Sequence, residues 1–223
     1  MGEIKCVYTC CPMCRYVFRA PRVGTYVTVG REPDLCPKFP GRQEASGSRL
    51  IRYGVTMCPA CFFAAREGFD DLDLSLVERH GLEVRLKEDG LLRVFRASPP
   101  PWLAFHAADV CGQERALSAR ELGDLCLRAS WVCRKERERP FESTFQLRAV
   151  RYFLRALEEE GLVGRELSVT TYLVGELNRR LGNNREALNW YVNADRTIEG
   201  DPALTWLDRL IERQSKLAKE QVA

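Results

Sequence analysis

Two four-residue segments, Cys11-Pro12-Met13-Cys14 and Cys58-Pro59-Ala60-Cys61, carry the clearest chemistry in this chain. Each sets two thiols three positions apart, so that a tight turn can aim both sulfurs at one point. Two such turns supply the four corners of a tetrahedron, the coordination Zn²⁺ takes with thiolates. Four protein ligands leave no position for water, so the spacing predicts a structural zinc site on Cys11, Cys14, Cys58 and Cys61. Forty-three residues separate Cys14 from Cys58, and metal binding would hold that loop closed where a small module lacks core. Arg15, beside Cys14, is placed to offset the charge of four thiolates.

The remaining thiols are read against that site. Seven of the ten cysteines lie in the first 61 residues, and none follows Cys133. A disulfide scaffold would not leave the last ninety residues unstapled, so metal chemistry is favoured over disulfides. A thioredoxin-type dithiol needs one C-x-x-C in a βαβ context, which neither knuckle has. Cys36, inside the loop, is open to three readings: a fifth thiol near the metal, an exchange ligand or a small buried residue. Cys6 and Cys10 precede the first knuckle, and two matching knuckles are the simpler ligand set. Cys111, Cys126 and Cys133 have apolar neighbours and read as buried free thiols.

Other chemistries lack their residues. His80 and His106 are the only histidines, and neither stands at ligand spacing from a second one. His80-Gly81 reads as a helix end and His106 as a core position. The chain has no G-x-S-x-G, P-loop or G-x-G-x-x-G, and the expectation is a protein that is not an enzyme. Arg134-Lys135-Glu136-Arg137-Glu138-Arg139 alternates in sign and reads as a solvated helix face or loop.

Composition sets the bounds. With 45% hydrophobic residues among 223, the chain can bury a core. Its net charge of +3 divides as +3, −1 and +1 over residues 1–71, 72–117 and 118–223. No segment carries the basic footprint of a nucleic-acid binder. No apolar run is long enough to span a membrane. Met1-Gly2-Glu3-Ile4-Lys5-Cys6 lacks the basic-then-apolar layout of a signal peptide, which gives the expectation of a cytoplasmic protein.

Elements must position the thiols. Residues 3–9 read as a strand entering the first knuckle, Tyr16-Val17-Phe18 as a strand leaving it and Tyr26–Val29 as a third. Residues 31–48, rich in Pro, Gly and charge, read as loop. Leu50–Met57 reads as a strand into the second knuckle, followed by a short helix over Ala60–Arg66. Leu82–Leu86 and Leu91–Phe95 alternate around Asp89-Gly90 and predict a β-hairpin. Pro99-Pro100-Pro101 then breaks the pattern and marks the strongest boundary.

From Ser118 the period turns helical. Ser118 and Glu121 form a capping box that opens the first helix. Further helices read over 142–160 ending at Gly161, 168–181 ending at Gly182 and 184–198 ending at Gly200, with a last one from Asp201-Pro202 to the C-terminus. Gly175, Gly182, Ala187, Tyr191 and Ala194 stand at the offsets of a tetratricopeptide unit, and Ala149, Phe153 and Ala156 echo part of it. Tyr172, Glu176 and Arg179 share one helix face and are candidates to line a peptide groove.

With these features placed, the chain resembles a family of uncharacterised bacterial proteins defined as a domain of unknown function. The resemblance rests on the two C-P-x-C knuckles, on Asp34-Leu35-Cys36-Pro37, on Phe62-Phe63-Ala64 after Cys61, and most specifically on the run from Tyr172 to Gly182. It covers most of the chain apart from residues 72–105. Where this chain has Cys61-Phe62-Phe63-Ala64, members commonly have a glycine after the cysteine. The resemblance implies a zinc module joined to a tetratricopeptide-like helical domain, and brings no activity.

The expectation is an α+β chain: a zinc-ribbon-like module at residues 1–71, a β-hairpin and proline-rich connector at 72–117, and an all-α tetratricopeptide-like domain at 118–223. It would act as a non-enzymatic interaction or scaffold protein, docking a protein partner through its helices, with a homodimer also open. A nucleic-acid-associated regulator using the ribbon, or a thiol redox sensor, is the alternative.

Overall fold

The computed structural model describes residues 4–40, 50–66, 68–198 and 201–222. Glu3, residues 41–48 of the loop and the Gly200 helix stop lie outside them. Three two-stranded antiparallel sheets occupy the N-terminal part, and helices make up most of the rest.

The first sheet pairs β1 (Ile4–Cys10) with β2 (Val17–Val23), Cys10 facing Val17 and Ile4 facing Val23. The knuckle Cys11–Cys14 is its turn. A short ladder joins β3 (Gly30–Arg31) to β4 (Pro37–Lys38). In the third, β5 (Val55–Met57) pairs with β6 (Ala64–Arg66) across the second knuckle. Strand, knuckle, loop, strand, knuckle is therefore the order seen, with three differences. Residues 26–29 are not a strand, although the Val29 amide donates to Lys38 O at 2.9 Å. Residues 50–52 form a helical turn, so the strand into the second knuckle begins only at Val55. The helix expected over Ala60–Arg66 is instead the knuckle turn and β6, because the turn closes a hairpin whose outgoing arm must be extended.

The hairpin expected around Asp89-Gly90 is also corrected. Residues 82–95 belong to α1 (Leu76–Glu88) and α2 (Gly90–Val94). Ser75 and Glu78 form a capping box that starts α1, and Leu82 and Leu86 bury one helical face. Their period is four, and the intervening Val84 is exposed. Asp89 accepts from the Leu92 amide at 2.9 Å, so the Asp-Gly pair starts a helix rather than a β-turn. His80-Gly81 lies inside α1, not at its end.

After the prolines come α3 (Leu103–Glu114), α4 (Ala119–Lys135), α5 (Arg139–Glu159), α6 (Gly164–Arg180), α7 (Asn184–Ile198) and α8 (Thr205–Glu220). The Ser118 capping box is formed, with its hydroxyl accepting from the Glu121 amide at 3.2 Å. Asp201 accepts from the Ala203 amide at 2.8 Å and opens a single 3₁₀ turn before α8. Helices pack in sequence order, α4 on α5 and α6 on α7 most extensively. Both of these pairs approach through a glycine. A Cβ on Gly123 would stand 2.5 Å from the Phe153 ring, and one on Gly175 would stand 2.9 Å from the Tyr191 ring. Ala149, Phe153, Ala187, Tyr191 and Ala194 are fully buried at these contacts.

One continuous core runs from the knuckles into the helices. Phe63, Ala64 and Val55 share it with Phe105, Ala108 and Cys111 of α3, and the Ala64 amide lies 3.5 Å from Cys111 Sγ. Trp102, just past the prolines, is buried and stacks on Phe141 at 4.3 Å between ring centres.

Candidate metal centre

The two knuckles have the same local structure. In the first, the Cys11 amide donates to Tyr16 O and the Arg15 amide to Cys11 O, each at 2.9 Å. In the second, the Cys58 amide donates to Phe63 O and the Phe62 amide to Cys58 O, again at 2.9 Å. Each turn ends in a left-handed residue, Arg15 at φ 61° and Phe62 at φ 64°.

The sulfurs converge. Cys11 Sγ lies 3.6 Å from Cys61 Sγ, Cys14 Sγ lies 3.7 Å from Cys58 Sγ, and the four lie within 4.8 Å of one another. A tetrahedron with metal–sulfur bonds of about 2.3 Å has edges of about 3.8 Å. The observed spacings fit that figure and exceed a disulfide bond by far. Cys11 and Cys58 are fully buried, Cys61 is half-buried and Cys14 exposed, so one edge of the cluster faces solvent.

Packed this closely, the thiols cannot all ionise without a cation. Hydrogen bonds from Cys11 and Cys61 hold the Cys58 thiol far down, at about 2. The same contact with Cys58 pushes Cys11 up to about 12, and contacts with Cys11 and Cys58 push Cys61 up as well. A divalent metal removes this conflict by binding all four as thiolates.

Cations border the exposed edge. A cleft of about 300 Å³ beside Met13, Cys14 and Cys61 is lined by Arg79, Arg96 and Lys87, the last paired with Glu83 of the same cleft at 2.6 Å. Arg96 donates to Ala60 O at 3.3 Å and lies over the Phe62 ring at 5.2 Å, bracing the second knuckle from outside. Arg15, next to Cys14, is exposed, and the cations of this cleft come from a region expected to be a hairpin and connector.

Cys36 lies outside the four-thiol cluster. It is buried beside Asp34, and burial, then the Asp34 charge, pushes its thiol up to about 11. Cys111, Cys126 and Cys133 are buried free thiols, as expected, and burial raises each of them. Cys6 and Cys10 are exposed on β1.

Two further polar constellations escaped the sequence reading. Asp34 is fully buried, 2.7 Å from Arg134 and 3.5 Å from Arg180, and it accepts from the Cys36 amide at 3.3 Å. Beside it, Tyr172 donates its hydroxyl to Pro33 O at 2.8 Å. Glu176, also fully buried, pairs with Arg179 at 2.9 Å and Arg180 at 2.8 Å and accepts from Tyr191 at 2.9 Å. Tyr172 and Glu176 therefore do not line an open peptide groove. Tyr172 receives the chain's own segment at Pro33, and Glu176 is linked to it only through Arg180, which also reaches Asp34. Arg134 likewise reaches inward from the run read as a solvated face. The signal available was Asp34-Leu35-Cys36-Pro37 itself, an acidic residue and a cysteine inside a proline turn, with Leu35 at φ 63°.

The second constellation surrounds His106 in a cleft of about 510 Å³ between α1, α3 and α5. His106 Nε2 lies 3.0 Å from both Asp89 oxygens, and Arg148 reaches Nδ1 at 3.0 Å. A guanidinium only donates and a carboxylate only accepts, so Nε2 carries the proton and Nδ1 the lone pair. Burial opposes ionisation of Asp89, but His106 and the Leu92 and Leu91 amides outweigh it and hold the carboxyl down at about 2. Asp109 accepts from Tyr152 at 2.9 Å and Gln113 at 3.3 Å. With both ring nitrogens engaged, His106 serves as a buried bridge between helices, in keeping with the core role read from sequence.

Among the described residues no helix is long and apolar enough to cross a membrane. The model of a family described as an uncharacterized protein conserved in bacteria (DUF2225) matches residues 7–222. No curated protein and no solved structure shows significant similarity to the chain. The chain belongs to that uncharacterised bacterial family.

Proposed function

We propose, for this member of a family without an assigned activity, that the chain is a cytoplasmic, non-enzymatic zinc protein that acts as a scaffold for a protein partner. Zn²⁺ on Cys11, Cys14, Cys58 and Cys61 would be structural. The observation that carries this reading is the sulfur spacing of 3.6 and 3.7 Å, which matches the edge of a tetrahedral thiolate site. A donor set of four thiolates favours zinc over magnesium, calcium or manganese, and its closed coordination offers no place for a substrate. The metal would tie β1–β2 to β5–β6 as a zinc-ribbon-like unit, contributing on the order of 10 kcal/mol to holding the loop between them. The helix pairs α4–α5 and α6–α7, with glycine set against an aromatic ring in each, support a tetratricopeptide-like reading of the helical part. Such stacks present extended surfaces to other proteins.

Metal content and co-purifying proteins, measured for the wild type and for Cys58→Ser, test this. One zinc per chain is expected in the wild type and none in the variant. A wild type without stoichiometric zinc sinks the reading.

The exposure of Cys14 favours a second reading, a thiol redox sensor that sheds its metal when the open edge is oxidised. Zinc release by low peroxide, reversed by thiol reductant and zinc, would support it. Retention of zinc under peroxide would remove it.

A further inference from the structure

The cleft between α1, α3 and α5 has a polar floor in which one guanidinium stands between two acceptors. His106, on α3, is 3% exposed, and its ring joins two other elements. Nε2 donates to Asp89, at the junction of α1 and α2, with 3.0 Å to each oxygen. Nδ1 accepts from Arg148 Nη1 of α5 at 3.0 Å, and that same nitrogen of Arg148 stands 3.7 Å from Asp109 Oδ2. Asp109 is buried and held in place, because its other oxygen accepts from Tyr152 at 2.9 Å and Gln113 at 3.3 Å. The contact between Arg148 and Nδ1 exists only while the ring is neutral. A proton on Nδ1 would make donors of both partners, since a guanidinium neither offers a lone pair nor deprotonates.

We infer that His106 and Arg148 form a proton-operated latch between α3 and α5, in which protonation of Nδ1 releases Arg148 from the ring and passes it to Asp109. The ring takes one proton from solvent and gains one positive charge. Asp109 waits within reach, so the released guanidinium is not left without a counter-ion, which would be costly. Each neighbouring element sets a group against the ring. Asp89, its carboxyl held down at about 2, keeps its charge and favours the charged ring. Arg148 and the burial of the ring oppose it. Cys126, on α4 beside Asp109, is pushed well up by burial and stays a neutral thiol. Arg85 and Glu88 of α1 and Arg151 of α5 are exposed along the rim. With His106 neutral, Arg85, Arg148 and Arg151 balance Glu88, Asp89 and Asp109, and protonation leaves the cleft with one positive charge in excess. The proton thus moves Arg148 and turns a balanced cleft into one that attracts anions. The latch depends on neither the metal nor a partner protein.

Nitrogen NMR on isotope-labelled full-length protein tests the latch, because His80 and His106 are the only histidines and His80→Gln assigns the pair. From about pH 8 to about 5, the wild type should pass from the Nε2–H tautomer to the doubly protonated ring at His106. The guanidinium signals of Arg148, assigned with Arg148→Gln, should shift at the same midpoint. Arg148→Gln should itself raise that midpoint by about one pH unit or more, since a side-chain amide can turn its oxygen toward a protonated Nδ1. Asp89→Asn, which keeps a residue able to cap α2, should lower it by a similar amount. Zinc measured in each sample separates metal loss from movement of Arg148. An Nδ1–H tautomer at high pH, an Arg148 signal that ignores the His106 titration, or a midpoint unmoved in Arg148→Gln overturns the latch. So does a ring that stays neutral until the fold is lost in acid. If Arg148→Gln does not fold, Arg148→Lys supplies the assignment, and the tautomer and the shared midpoint in the wild type decide.

Discussion

The two knuckles are alike in every local respect and opposite in their surroundings. Both are C-P-x-C turns with the same pair of backbone hydrogen bonds and the same left-handed residue after the second cysteine. The first closes a ribbon of which Tyr8, Tyr16 and Val17 are at least half exposed. The second closes a hairpin whose Val55, Phe63, Ala64 and Ala65 are buried, with both strands packed on α3. Turn geometry is set within a few residues, whereas burial depends on what a distant helix brings. One knuckle has a core behind it, whereas the other's hairpin meets that core only through partly buried side chains such as Ile4, Phe18 and Val23.

Removing the metal should therefore split them, and this is the largest effect expected. After chelation, the inward amides of Val7 and Thr9 on β1 should lose protection from hydrogen exchange by two orders of magnitude or more, as isolated hairpins are marginal. Those of β5 and β6 should keep most of theirs, because hydrophobic contacts with α3 persist. Equal loss at both hairpins would show that the second also depends on the metal, and would remove the asymmetry. Cys14→Ser and Cys58→Ser should each abolish stoichiometric zinc, yet only Cys58→Ser also disturbs a fully buried position, so its melting temperature should fall further.

The insertion between the knuckles has its own anchor, independent of the metal. Asp34 ties the segment to α4 and α6 through Arg134 and Arg180. Asp34→Asn keeps the shape and removes the charge, taking one buried counter-ion from Arg134 and Arg180, which keep Glu142 at 3.5 Å and Glu176 at 2.8 Å. The cost should be about 2 kcal/mol in denaturant unfolding, with zinc content unchanged. If zinc is lost as well, anchor and clamp are one unit.

What could be read from the chain follows the same division between local and distant causes. The four thiols, the Ser118 capping box and the Gly161 and Gly182 helix stops are written within a few residues of where they act, and each stands where its spacing put it. Gly161 and Gly182 have φ of 58° and 86°, conformations glycine adopts without strain. The errors came where a local signal had two physical outcomes. Asp89-Gly90 can turn a hairpin or cap a helix, and the capping box at Ser75 with the buried Leu82–Leu86 face decided for the helix. The acidic residue in its proline turn was visible at Asp34, but its partners were not, since Arg134 lies a hundred residues away. For the same reason the cations that α1 and the segment after α2 bring beside the four thiols could not be read from the knuckles.

The smallest effects test whether identical backbones carry identical strain. A non-glycine residue in the left-handed region costs about 1 kcal/mol. At Arg15, whose exposed side chain has no hydrogen bond or ion pair among the described residues, Arg15→Gly removes that cost and little else, so stability should rise by up to about 1 kcal/mol. At Phe62 the same relief is opposed. The ring is 4% exposed and lies under Arg96, and burying such a side chain is worth about 2 kcal/mol. Phe62→Gly should therefore destabilise by about 1 kcal/mol net, although glycine suits the turn better. Opposite signs in unfolding of the two variants, both zinc-loaded, are the expected result. If both substitutions stabilise, the second knuckle draws less from its core than its burial implies, and the two turns differ only in sequence.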